Sequence, residues 1–133
     1  MKTKNMNGDI TEYDENGRLI YSKFVNIETR EVYDQYGKHV MTHIKKPNEE
    51  YWCEYNDEDI KVTERIKNKN FSIWRLYNDK GILIFDHTIT KDADTCTKYN
   101  DDGVIVRKHV ISGDLQYLEM YNSSGELMYR RNI

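Results

Sequence analysis

The chain has 133 residues, 32% of them charged and 38% hydrophobic, with a single proline, which is one domain's worth and argues against a linker or a disordered tail. Its formal net charge of −3 argues against a general nucleic-acid binder, because phosphate contacts need a basic surface. No apolar run approaches the roughly 20 residues of a membrane-spanning helix, and the opening MKTKNMNGDITEY lacks the apolar core of a signal peptide, so a cytoplasmic location is expected.

In chain order, one phrase recurs: EYDENGRLIY (12 to 21), VYDQYGKHVM (32 to 41), EYNDEDIKVT (54 to 63), LYNDKGILIF (76 to 85), KYNDDGVIVR (98 to 107) and MYNSSGELMY (120 to 129). The shared tyrosines, Tyr13, Tyr33, Tyr55, Tyr77, Tyr99 and Tyr121, are spaced by 20, 22, 22, 22 and 22 residues, a period that indicates an array of one supersecondary unit. Each tyrosine precedes Asp14, Asp34, Asn56, Asn78, Asn100 or Asn122, and three residues later stands Gly17, Gly37, Asp59, Gly81, Gly103 or Gly125. Asp or Asn at the head of a type I turn bonds backbone two residues ahead, and the closing position needs a left-handed conformation. Asp59, the exception, is of a type that tolerates it. The pattern predicts a tight turn with a G1-type bulge inside a β-hairpin.

Strand-like sequence flanks every turn, and no stretch shows a 3.6-residue apolar period. Between hairpins lie the polar segments VNIE, KKPN, KNKN, TKDA and SGDL. The expectation is therefore an all-β single domain over residues 1 to 133, an antiparallel meander of about six tandem β-hairpin repeats of 20 to 22 residues, giving about twelve strands. If each tyrosine pairs with the second residue after the glycine, alternation puts the tyrosines on one face with Leu19, Leu83, Ile105 and Leu127. The other face then carries Ile20, Val40, Val62, Ile84, Val106 and Met128, with Phe24, Ile44, Ile66, Val110, Trp52 and Trp74. Both faces are partly apolar, so a strongly twisted or coiled sheet is expected, closing toward a barrel or solenoid.

Tyr13, Asp14, Gly17, Arg18 and Leu19 resemble the YD repeat of bacterial RHS proteins, whose units read Y-D-x-x-G-R-L, and Tyr33, Asp34, Gly37 and Lys38 follow it nearly. The array is also similar to the MORN-like hairpin repeats of YwqK-type antitoxins. The second tyrosine that YD units often carry two residues earlier is replaced here by Thr11, Glu31, Cys53, Arg75, Thr97 and Glu119. What the resemblance implies is a small bacterial toxin-neutralising protein, an antitoxin or immunity protein.

The residues themselves offer little catalysis. His43, His87 and His109 occupy one register, ten residues after a tyrosine, in a column with Lys23, Arg65 and Arg131. Equivalent residues two strands apart stand about 9 to 10 Å apart, too far for two imidazoles to share a zinc with bonds of about 2 Å, so the column reads as a solvated basic stripe. His39 reads as a surface residue, and Cys53 and Cys96 as reduced strand residues. The acids at 92 to 94 and 101 to 102 read as turn residues rather than calcium ligands. No catalytic residue, cofactor or metal is expected.

The charge is uneven: residues 49 to 59, EEYWCEYNDED, carry six acids and no base, leaving +3 for the rest. Glu49, Glu50, Glu54, Asp57, Glu58 and Asp59, with Tyr51 and Trp52 as anchors, and Asp79, Asp101 and Asp102 on neighbouring turn tips, form the candidate toxin-binding set. Complementary charge steers association and desolvated aromatics supply affinity. The expected partner is a basic protein toxin, a nuclease first of all. A different class of function is a structural or scaffold module on a membrane surface or cell-envelope glycan.

Overall fold

The computed structural model of the chain describes residues 2–4 and 8–133. Every regular element among them is a strand: β1 (Lys2–Lys4), β2 (Ile10–Tyr13), β3 (Leu19–Phe24), β4 (Ile27–Tyr33), β5 (His39–Lys46), β6 (Glu49–Tyr55), β7 (Lys61–Asn68), β8 (Phe71–Tyr77), β9 (Leu83–Thr90), β10 (Asp94–Tyr99), β11 (Ile105–Ser112), β12 (Leu115–Tyr121) and β13 (Leu127–Asn132). They form one antiparallel sheet in chain order. The sheet is open, with β1 and β13 as its edges. Its thirteen strands exceed the expected twelve by β1, which pairs with β2. Each strand touches only its neighbours in the chain.

The tyrosine turns show why this sequence folds back where it does. In LYNDKGILIF the Asn78 N–H donates to the Ile82 carbonyl at 2.9 Å, and the Gly81 N–H returns to the Asn78 carbonyl at 2.9 Å. The Asn78 Oδ1 accepts from the N–H groups of Lys80 and Ile82 at 2.9 and 3.0 Å. The same four bonds recur at Asp14, Asp34, Asn56, Asn100 and Asn122. Asp59 takes φ of 63° where the other five turns have glycine. At the opposite end of the sheet the reversals are tighter, for example Phe24 against Ile27 and Lys46 against Glu49.

Each tyrosine pairs with the second residue after the turn glycine, as expected: Tyr13 with Leu19, Tyr33 with His39, Tyr55 with Lys61, Tyr77 with Leu83, Tyr99 with Ile105 and Tyr121 with Leu127. The next pair skips a residue, so Leu76 faces Phe85 and Ile84 is the bulge. That extra residue reverses the alternation beyond it. Ile44, Ile66 and Val110 pair with Tyr51, Ile73 and Tyr117 and share the tyrosine face, a correction to the expected assignment. Trp52 and Trp74 do occupy the other face, the tryptophan face.

Little of the chain is secluded. Among the described residues the buried apolar side chains are Cys53 and Val110, and the buried polar ones are Thr42, Glu64 and Thr97. All but Val110 lie in one line across the tyrosine face, Glu31–Thr42–Cys53–Glu64–Arg75–Asp86–Thr97. Glu31, Cys53, Arg75 and Thr97 stand two residues before their unit's tyrosine, and Thr42, Glu64 and Asp86 are the cross-strand partners of the first three.

Candidate functional site

Because an antiparallel meander reverses at every connection, the six tyrosine turns stand along one long edge of the sheet. Neighbouring tips touch. Lys38 Nζ donates to the Asp57 carbonyl at 2.9 Å, and Asn78 Nδ2 donates to the Asp101 carbonyl at 3.0 Å. A Cβ placed on Gly103 or Gly125 would lie 3.1 Å from a methyl of Ile82 or Val104 on the preceding tip. Asp57, Glu58, Asp59, Asp79, Asp101 and Asp102 are exposed on this edge, so the acids of three successive tips form one strip. Glu15, Asp34 and Glu126 extend it on the outer tips. Glu15 shares the turn position of Asp57, Asp79 and Asp101, whereas Asp34 is a turn head and Glu126 follows the turn glycine, positions that hold Asn and an aliphatic residue in the units of the strip.

The rest of the expected toxin-binding set is scattered. Glu49 and Glu50 open β6 at the opposite end, across from Lys46 and from Lys45 and Lys67. Tyr51 and Trp52, adjacent in a strand, project to opposite faces. The Tyr51 hydroxyl donates to Glu64 at 2.7 Å, while Trp52 stacks on His43 with centroids 5.0 Å apart and has the Arg65 guanidinium 5.7 Å above it. Glu54 is exposed on the tryptophan face between Met41 and Thr63. No single partner surface can engage all eleven residues through their side chains.

On the tyrosine face the buried Glu64 gathers Tyr51, Tyr77 (2.9 Å), Lys61 (2.7 Å) and Arg75 (3.2 Å), and Arg75 also reaches Asp86 at 2.9 Å. Burial opposes ionisation of Glu64, but the bonds from Lys61, Tyr51, Tyr77 and Arg75 outweigh it and hold the carboxyl at about 2. Burial and the bond to Glu64 push the Tyr51 and Tyr77 phenols up. His39 also sits on this face, between the rings of Tyr33 and Tyr55 at 5.2 and 4.6 Å, bonded to Glu31 and Thr42. It is half-buried, not the surface residue expected.

The tryptophan face carries the histidine register. One row runs Glu12–Tyr21–Arg30–His43–Trp52–Arg65–Trp74–His87–Cys96–His109–Leu118–Arg131, its single acid, Glu12, standing at the far end. Lys23 falls outside it, against Glu28, since the first unit is two residues short. The histidines are partnered rather than merely solvated: His43 with Glu50 at 3.1 Å, His87 with Asp94 at 2.6 Å and His109 with Gln116 at 3.0 Å. Each partner lies seven residues on, diagonal across a tight turn. Asp94 is thus the first residue of β10 and not a turn residue.

No helix among the described residues is long and apolar enough to cross a membrane. Comparison of the sequence with models of known protein families finds no match, and comparison with curated proteins finds none either.

Proposed function

We propose that the chain is a twisted array of six hairpin units of 20 to 22 residues that acts as a bacterial, cytoplasmic antitoxin or immunity protein, holding a basic toxin by its acidic turn edge. The observation that carries this reading is the strip Asp57, Glu58, Asp59, Asp79, Asp101 and Asp102, exposed on tips that touch one another. A nuclease toxin needs a basic cleft for phosphates, and a rigid acidic edge competes for that cleft by occupancy. Inhibition of this kind needs no chemistry, cofactor or metal from the inhibitor. Steering by such an edge raises association rates and is screened by salt.

The test is co-expression with a basic nuclease encoded beside its gene, with binding measured at low and high salt. Protection, together with a stoichiometric complex weakened by salt, is expected. Asp57→Lys, Asp79→Lys and Asp101→Lys together should slow association more than about tenfold while leaving the fold intact. Full protection by that triple variant, or no complex at low salt, sinks the proposal. A second reading, a scaffold on an anionic membrane surface or cell-envelope glycan, is favoured by the row holding Arg30, Arg65 and Arg131, in which Glu12 at the far end is the single acid. It calls for salt-sensitive binding to anionic vesicles, lost when those arginines are replaced.

A further inference from the structure

Of the three imidazoles in the tryptophan-face row, His87 has surroundings the other two lack. Across their tight turns His43 faces Trp52 and His109 faces Leu118, but His87 faces Cys96; His109 flanks Cys96 from the other side, yet its diagonal partner is the amide of Gln116 and not a carboxylate. Asp94, two residues before Cys96, projects from the same side of β10, and its Oδ1 lies 2.6 Å from His87 Nε2. The donor atoms of His87, Asp94 and Cys96 all lie within 4.8 Å of one another, the one such group found among the described residues. All three side chains are half-exposed, so an ion can reach them from solvent.

We infer that His87, Asp94 and Cys96 form a zinc site. An imidazole nitrogen, a thiolate and a carboxylate oxygen suit zinc, whereas calcium and magnesium favour oxygen throughout. Tetrahedral bonds of about 2.0 to 2.3 Å hold two donors about 3.4 Å apart, so the present spacing needs side-chain rotation only. Asp94 draws back from His87 and the sulfur closes in. The backbone stays fixed, because the ligands are one direct cross-strand pair and its diagonal neighbour within a continuous sheet. The site uses a single imidazole, so the separation that keeps two histidines of this row from sharing an ion does not bear on it. Water completes the coordination, and the ion pins β9 to β10.

Cobalt(II) reports the site directly, since it takes zinc's place and gives a near-ultraviolet charge-transfer band only when a thiolate is bound. One equivalent of cobalt should produce that band in the full chain, and zinc should displace it. Cys96→Ser and His87→Gln should each abolish the band, and Asp94→Asn should weaken cobalt binding by more than about tenfold. Cys53→Ser is the control, its thiol being buried on the opposite face, and it should keep the band. Excess zinc should raise the melting temperature of the native chain and not that of Cys96→Ser. A native chain without the band, a band that survives Cys96→Ser or His87→Gln, or a band lost with Cys53→Ser overturns the inference.

Discussion

Glu64 is a carboxylate 6% exposed in a sheet that secludes almost nothing else. Four donors make that tolerable, since a buried charge is costly unless it is paired and bonded. The sign of its contribution follows from its ionisation. A carboxyl lowered from 4.5 to about 2 adds stability that is complete above its ordinary value and disappears as pH falls toward the lowered one. The size is about 2 to 3 kcal/mol. Native stability should therefore fall between pH 4.5 and 2, and Glu64→Gln should flatten that limb while costing about 3 kcal/mol at neutral pH, where Lys61 loses its partner and Arg75 keeps only Asp86. Denaturant unfolding across the pH series measures both. An unchanged acid limb in the variant would show that other carboxyls set it.

At the scale of the element, the turn tips are both folding signals and packing surfaces. Gly17 and Gly103 share a left-handed φ, +80° and +83°, but a Cβ on Gly17 meets nothing within 4 Å whereas one on Gly103 stands 3.1 Å from the Ile82 methyl. Gly17→Ala should cost about 1 kcal/mol for conformation alone, and Gly103→Ala about 1 kcal/mol more for crowding its neighbour. Adding Ile82→Ala should recover part of the second cost, a coupling that a double-mutant cycle of unfolding free energies isolates. Equal costs for the two glycines would mean that the tips do not press on each other. The turns were legible in the sequence because Asn78 and Gly81 are chosen by backbone hydrogen bonding, a local matter. The faces of Ile44, Ile66 and Val110 were not read correctly, because counting by twos ran through a bulge that inserts a residue. The split between Tyr51 and Trp52 was written in the alternation itself. The union of His87, Asp94 and Cys96 needs the register of the reversal between β9 and β10, which no single motif displays.

For the whole molecule, the open sheet leaves two strand edges with unpaired backbone groups, a template for pairing with another chain. Every residue of β13 is exposed, and Arg130 and Arg131 guard it, the first lying 3.5 Å over the Tyr117 ring. Replacing them together, Arg130→Thr with Arg131→Val, should turn this edge adhesive and give concentration-dependent association in sedimentation. A variant that stays monomeric would show that the exposed edge is blunted by something other than charge.

Contacts confined to chain neighbours also free this architecture from a fixed size. A barrel gains or loses a strand only by reclosing around a new circumference, but here two strands and one tip can be added or removed between any pair of turn glycines, with direction and facing restored at the seam. Slippage during replication, or unequal recombination within one gene, would then lengthen or shorten the acidic edge in whole steps. Heritable variation in reach comes without any need to redesign an interior.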